Sequence, residues 1–302
     1  MSVLGTPRVA AVVARVMQGL GDLAGSAVAR RRAAVFPEFP GDTGEITIPS
    51  PAGPAAAVVY RPAGAGPRPP VHVNFHGGGF VMRGMWLDDP LCRYLAAAAG
   101  VVVVNVDYVV APQHPFPAPV RQAFDVVRWV VDHDDTWNGR RLTVGGQSAG
   151  GALAAAVARQ ALEQGGPHIA LQVLHYPPLD LATPAAAKKA AVAKPVLRPW
   201  MGEVFDGAYV PDVAARAHRL VSPAGSADTE DLTGIAPALV VTAEYDRLNA
   251  EGVRYAHRLD DVGALVAHHD VRGADHGYDV QDVAKARETY ALIARHVRDA
   301  TA

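Results

Sequence analysis

Apolar residues recur along this chain with two periods, and the period changes near Pro40. Before it, Val9, Val12, Val13, Val16, Met17 and Leu20 return every three or four residues, which predicts an amphipathic helix over roughly 8–31. After it, short β-branched runs predict eight strands: Glu45–Pro49, Ala57–Tyr60, Val71–Phe75, Val101–Val106, Leu142–Val144, Leu171–His175, Leu239–Thr242 and Leu265–Val271. From the third strand onward, stretches with helical spacing separate the runs, at about 88–99, 119–133, 149–164, 248–262 and 281–299. Strands alternating with helices of this length imply βαβ units and a mostly parallel sheet, an α/β architecture. The unbroken valines 101–104 suit a strand buried on both faces. Only a Pro/Gly-rich turn, Ser50–Pro54, separates the first two strands, which predicts an antiparallel pair at one edge.

The alternation fails once. Over sixty residues between His175 and Leu239 contain no clear strand, and they hold Lys188, Lys189 and Lys194, three of the chain's four lysines. Within them Leu197, Trp200, Met201, Val204, Phe205 and Tyr209 recur at helical intervals. A connection this long inside a compact fold is usually functional, and a lid is the expectation. The apolar set Leu197, Trp200, Met201 and Phe205 is expected to face the main body or a bound acyl chain.

Composition narrows the function classes. Half of the 302 residues are hydrophobic and 19% are charged, enough apolar material for a large core. The formal charge of −2 leaves no basic field for nucleic acid. A single cysteine, Cys92, excludes an intrachain disulfide framework and reads as a small buried hydrophobe. The longest apolar run, Leu95 to Val104, is too short to span a bilayer. Arg15 interrupts the N-terminal apolar pattern and no basic segment precedes it, so the first helix reads as part of a cytoplasmic protein rather than a signal peptide, with secretion left open.

The chemistry centres on Gly146-Gln147-Ser148-Ala149-Gly150, followed by Gly151. It lies between a predicted strand and a predicted helix, where a serine on a sharp turn needs almost side-chain-free neighbours. A serine nucleophile needs a base and a group that orients the base. Among twelve histidines, His276 stands out, because it sits in a loop directly after the last strand, where sites form in open parallel sheets. Asp246 occupies the matching place after the seventh strand, with Glu244 as the rival acid. The order Ser148, Asp246, His276 is that of α/β-hydrolases. His76-Gly77-Gly78-Gly79-Phe80 follows the third strand, and its backbone N–H groups, with that of Ala149, form a candidate oxyanion hole. A metal site from His268, His269, Asp270 and His276 is disfavoured, because adjacent strand residues point to opposite faces.

These motifs resemble those of the hormone-sensitive-lipase-like (bacterial family IV) carboxylesterases, and the resemblance covers nearly the whole chain. His76–Phe80 is similar to the family's HGGG motif. The stretch Asp107–Ala118 is similar to D-Y-R-L-A-P-E-H-P-F-P-A, and Gly146–Gly151 to G-D-S-A-G-G. Asp246, Leu248, Glu251 and Gly252 follow D-P-L-R-D-E-G, and His276-Gly277-Tyr278 follows H-G-F/Y.

The resemblance implies an eight-stranded α/β-hydrolase domain over 1–302, with a helical cap from about 1–40 and about 182–222. It implies Ser148 as nucleophile, His276 as base, Asp246 as its orienter, and oxyanion donors from Gly78, Gly79 and Ala149, supported by His76, Gly77, Gly146 and Gly150. It implies hydrolysis of short- to medium-chain acyl esters with no metal or organic cofactor. The implied partner is a small ester, and a homodimer stays open. An amidase or carbamate hydrolase with the same triad, or a hydrolase-fold binding protein, are the alternatives. The chain departs from the family at Gln147 (Asp), Val109 (Arg) and Gln113 (Glu), and Arg247, Asn249 and Ala250 replace Pro, Arg and Asp. The loss of three charges together reads either as independent drift or as a sign that Gln147, Val109 and Gln113, or some pair of them, share one buried network, which predicts that Gln147→Asp is destabilising alone and less so with Val109→Arg.

Overall fold

The computed structural model describes residues 2–64, 66–133 and 135–302. Its eight strands are β1 Asp42–Ile48, β2 Ala55–Arg61, β3 Pro70–Phe75, β4 Val102–Asp107, β5 Asn138–Gln147, β6 Leu171–His175, β7 Ala238–Ala243 and β8 Leu265–Val271. All eight predicted runs become strands. They join one sheet in the order β1-β2-β4-β3-β5-β6-β7-β8. β1 and β2 form the antiparallel edge pair, β2 also runs antiparallel to β4, and every pairing from β4 to β8 is parallel.

The β-branched runs make this sheet because both of its faces are covered. In β4, Val102, Val104 and Val106 enter one core while Val103, with the preceding Val101, enters the other. The helices are α1 Pro7–Ala33, α2 Asp89–Ala99, α3 Ala118–Asp132, α4 Ala149–Gln164, α5 Pro199–Tyr209, α6 Asn249–Asp261, the single turn α7 Tyr278–Gln281, and α8 Val283–Ala300. Side chains of α3, α4 and α6, among them Phe124, Leu153 and Leu259, fill the first core. Leu95 of α2 and Ile293 of α8 help fill the second, which also encloses Cys92. No helix among the described residues is long and apolar enough to cross a membrane.

The chain leaves β3 towards β4 on one side and returns to β5 on the other. The crevice between the carboxyl ends of β3 and β5 is therefore a topological switch point, the place where such sheets hold ligands. The glycine-rich stretch 77–79 follows β3, and Ser148 follows β5.

α1 and α5 pack against one another beside this crevice. Their backbones approach so closely that a Cβ on Gly207 would lie 2.8 Å from the Ala10 Cβ. The buried Gln18 amide pins α1 to the segments around it, donating to the carbonyls of Val81 at 2.7 Å and Ala111 at 3.0 Å. The apolar pattern that predicted α1 does not all turn inward. Ala10, Ala14 and Gln18 form its buried face, while Val12, Val16 and Leu20 are exposed. Small residues win the inward face because α5 lies so near.

Candidate active site

Ser148 sits at the N-cap position of α4 with φ 52° and ψ −119°, a positive φ that few non-glycine residues adopt. The strain is held by close packing. A Cβ on Gly146 would lie 2.2 Å from the Phe75 carbonyl oxygen, and one on Gly150 only 1.7 Å from it. No side chain other than hydrogen fits at either place, so β3, the turn and α4 close tightly around the serine. The Ser148 N–H donates to the His175 carbonyl at 2.9 Å, and its side chain makes no capping bond, which leaves Oγ free to point outward.

Oγ lies 2.9 Å from His276 Nε2, and His276 Nδ1 lies 2.7 Å from Asp246 Oδ2. A carboxylate only accepts, so Nδ1 carries the proton and Nε2 is left to accept from the Ser148 hydroxyl. Asp246 is itself fixed, since its Oδ1 accepts from the Leu248 N–H at 3.0 Å. Burial opposes the charged form of His276. The charge and hydrogen bond of Asp246, aided by Asp275 and Asp279, outweigh burial and raise the imidazole pKa above its ordinary value. Glu244, the rival acid, turns away from this chain of bonds: it accepts from the Gly273 N–H at 2.7 Å and from Arg272 at 3.3 Å.

Gly78 and Gly79 have φ of 126° and 62°, so the turn after β3 exposes its amides. Among the described residues no backbone bond occupies the N–H of Gly78, Gly79 or Ala149. The last of these opens α4, whose dipole favours negative charge at that end. His76 shapes the turn from behind. It stacks on Tyr108 at 4.4 Å, and the Tyr108 hydroxyl donates to the His76 carbonyl at 2.9 Å.

A cavity of about 400 Å³ opens over Ser148 and His276. Gly77, Gly78 and Gly79 line it from below, and Met17 of α1 with Met201 and Phe205 of α5 wall it from above. Phe205 lies so near the glycine turn that a Cβ on Gly79 would come within 2.5 Å of its ring. Leu197 also reaches the cavity, but Trp200 does not: it is 43% exposed at the start of α5. The helical spacing was right, and Trp200 falls on the solvent side because the cavity claims the opposite arc of the helix. Asp206 also lines the cavity, where burial, against the pull of Lys188, pushes its carboxyl up to about 7.

The three family departures do not share a network. The Gln147 amide donates to Asp279 Oδ2 at 2.7 Å and to the Tyr290 hydroxyl at 3.3 Å. Asp279 also accepts from the hydroxyls of Tyr176 and Tyr290, each at 2.6 Å. Gln113 instead donates to Gln18 of α1 at 2.8 Å, and the Val109 side chain lies beside Gly53, where a Cβ would sit 3.9 Å from Val109 Cγ1. The three side chains thus lie in separate neighbourhoods.

Phe205, Met201 and Leu197 face the cavity as their helical spacing predicts. Gln18, Tyr176 and Asp279 also shape the site, and no motif or periodicity in the sequence points to them. Asp279 follows the H-G-Y motif by one residue, but nothing along the sequence pairs it with Gln147. His72 and His175 are fully buried, and burial pushes their pKa values down to about 3 and about 4. Both are neutral core residues.

Residues 72–280 match the α/β hydrolase fold family. The chain is 35% identical to the esterase LipI of Mycobacterium tuberculosis over 240 residues, spanning 78% of this chain and 74% of that one. It is 35% identical to the carboxylesterase NlhH of the same organism over 224 residues, 73% of this chain and 70% of the other. The thermostable carboxylesterase EstE1, cloned from a metagenomic library, superposes with a TM-score of 0.86 at 32% identity, covering 94% of this chain and 97% of that one.

Proposed function

Because the chain belongs to the α/β hydrolase fold family, in its hormone-sensitive-lipase-like branch, and is a carboxylic ester hydrolase like its relatives, we propose that Ser148 is its nucleophile, His276 its general base and Asp246 the orienting acid. One observation carries the assignment: the unbroken chain of hydrogen bonds from Ser148 through His276 to Asp246, 2.9 Å and 2.7 Å, at the floor of the cavity.

The ester enters between α1, α5 and the sheet. His276 Nε2 takes the Ser148 proton as Oγ attacks the carbonyl carbon, and Asp246 stabilises the imidazolium that forms. The developing oxyanion receives the N–H groups of Gly78, Gly79 and Ala149, which no other acceptor occupies among the described residues. The imidazolium returns its proton to the leaving alkoxide, freeing the alcohol. Water, deprotonated by His276, then attacks the acyl-enzyme and regenerates Ser148 by the same geometry.

The segments at about 1–40 and about 182–222 act as a cap. α1 and α5 close the cavity from above, and its volume and apolar walls suit short- to medium-chain acyl groups. Hydrolysis of p-nitrophenyl esters from acetate to laurate by the wild type and by Ser148→Ala tests the assignment. The expected result is turnover falling off at the longer chains, abolished by the substitution. Retention of wild-type rates by Ser148→Ala removes Ser148 as nucleophile. Parallel assays on matched anilides, expected to be far slower, test the ester preference.

A further inference from the structure

The outward face of α1 is built unlike the rest of the surface. Val12, Val16, Leu20 and Leu23 are 61%, 58%, 63% and 83% exposed. At about 100° per residue they fall within an arc of roughly 80°, one continuous apolar stripe. The stripe is not rotational slack. Gln18 on the opposite side makes its buried bonds to Val81 and Ala111, and Arg32 donates to the Leu87 carbonyl at 2.9 Å, so the helix is locked with this face outward.

Charge accompanies it. Arg8 and Arg15 flank one edge of the stripe, and Arg30 and Arg31 lie at its far end; all four are exposed and none has an acidic partner among the described residues. The helix's one acid, Asp22, already faces Arg83 at 4.0 Å. This is a local cationic field on a chain of formal charge −2.

We propose that α1 docks on an anionic lipid surface, with its valines and leucines entering the headgroup boundary and its four arginines at the phosphates. An apolar stripe edged by cations is the composition of interfacial helices. A second copy of the chain fits poorly. A second copy would bring more arginines and no free acid on its own α1 to offset them, since the one acid of that helix faces Arg83. Met17, three residues before Leu20 on α1, lines the cavity over Ser148, so docking brings one wall of that cavity close to the lipid.

Sedimentation of the full chain with vesicles tests this. Binding is expected to phosphatidylglycerol/phosphatidylcholine vesicles and not to phosphatidylcholine alone, and to fall at least about tenfold in 0.5 M salt. Leu20→Ser with Leu23→Ser, and separately Arg8→Gln with Arg15→Gln, should each weaken binding, by about fivefold per arginine in the second case. Both double variants should keep the wild-type thermal midpoint and turnover of a soluble acetate ester. No binding to anionic vesicles, or binding that neither double variant weakens, overturns the proposal. So does a concentration-dependent dimer in sedimentation velocity that Leu20→Ser with Leu23→Ser abolishes, which would assign the stripe to a second copy.

Discussion

At Ser148 the backbone stores strain so that a hydroxyl can stand clear of its own helix. That geometry matters only if the base beside it is neutral. Asp246 holds the His276 pKa above its ordinary value, so protonated imidazole persists to higher pH. Activity should therefore rise with pH through one ionisation lying above the usual imidazole range. Asp246→Asn removes the charge that sustains the shift. The rising limb of kcat/KM should then move to lower pH, while kcat falls by about 10⁴. A limb that stays in place would mean Asp246 does not set the titration of His276.

Gln147 gives a second prediction at this scale, and it replaces the one drawn from the sequence. Gln147→Asp would put a carboxylate where an amide now donates to Asp279, in a fully buried site. The variant should lose roughly 3–5 kcal/mol of stability, the cost of an uncompensated buried charge. Adding Asp279→Asn should recover part of it, whereas adding Val109→Arg should be additive, since the Gln147 side chain bonds Asp279 while the Val109 side chain lies beside Gly53. Chemical denaturation of the two double-mutant cycles separates these outcomes.

Among the elements, α5 shows where sequence patterning stops being informative. Periodicity alone placed the helix, because apolar side chains at three- and four-residue spacing need a common face. It could not say which part of that face meets the cavity, which depends on how closely α1 approaches through Gly207 and Ala10. Phe205 lies over the glycine turn, and Trp200 faces solvent. Phe205→Ala should thus change the ratio of kcat/KM for octanoate and acetate esters, while Trp200→Ala should leave that ratio within about twofold. A larger effect from Trp200 would place the acyl chain elsewhere. The strands were legible for a simple reason. A parallel sheet covered on both faces demands unbroken β-branched runs, and such runs are conspicuous in a chain rich in glycine and alanine. The proposed triad residues could be singled out in the sequence, because each follows a strand whose end the sequence marks, and the structure brings the three within hydrogen-bond reach. The supporting contacts were not legible, because Gln18, Tyr176 and Asp279 meet their partners across more than sixty residues of chain.

Across the whole molecule, the long connection after β6 is tied to the body by charge. Lys188 Nζ lies 2.8 Å from Glu251 Oε2 with both side chains buried, and Glu251 also accepts from the Leu179 N–H at 2.8 Å. Arg247, which stands where the family has proline, donates to the Lys188 carbonyl. Glu251→Gln should cost roughly 3–5 kcal/mol, because Lys188 would lose its direct ion-pair partner in the interior. A cost below about 1 kcal/mol would show that the connection does not depend on this pair. The sheet, the glycine turn and α1 with α5 all converge on the same volume of space above Ser148. Covalent attack by that one serine is the claim on which the rest depends. A p-nitrophenyl alkylphosphonate should react once per chain, releasing one equivalent of nitrophenol. Mass spectrometry should find the adduct on the peptide carrying Ser148 and find none in Ser148→Ala. Ester hydrolysis that continues undiminished without an adduct, or an adduct on another residue that abolishes activity, would contradict the account.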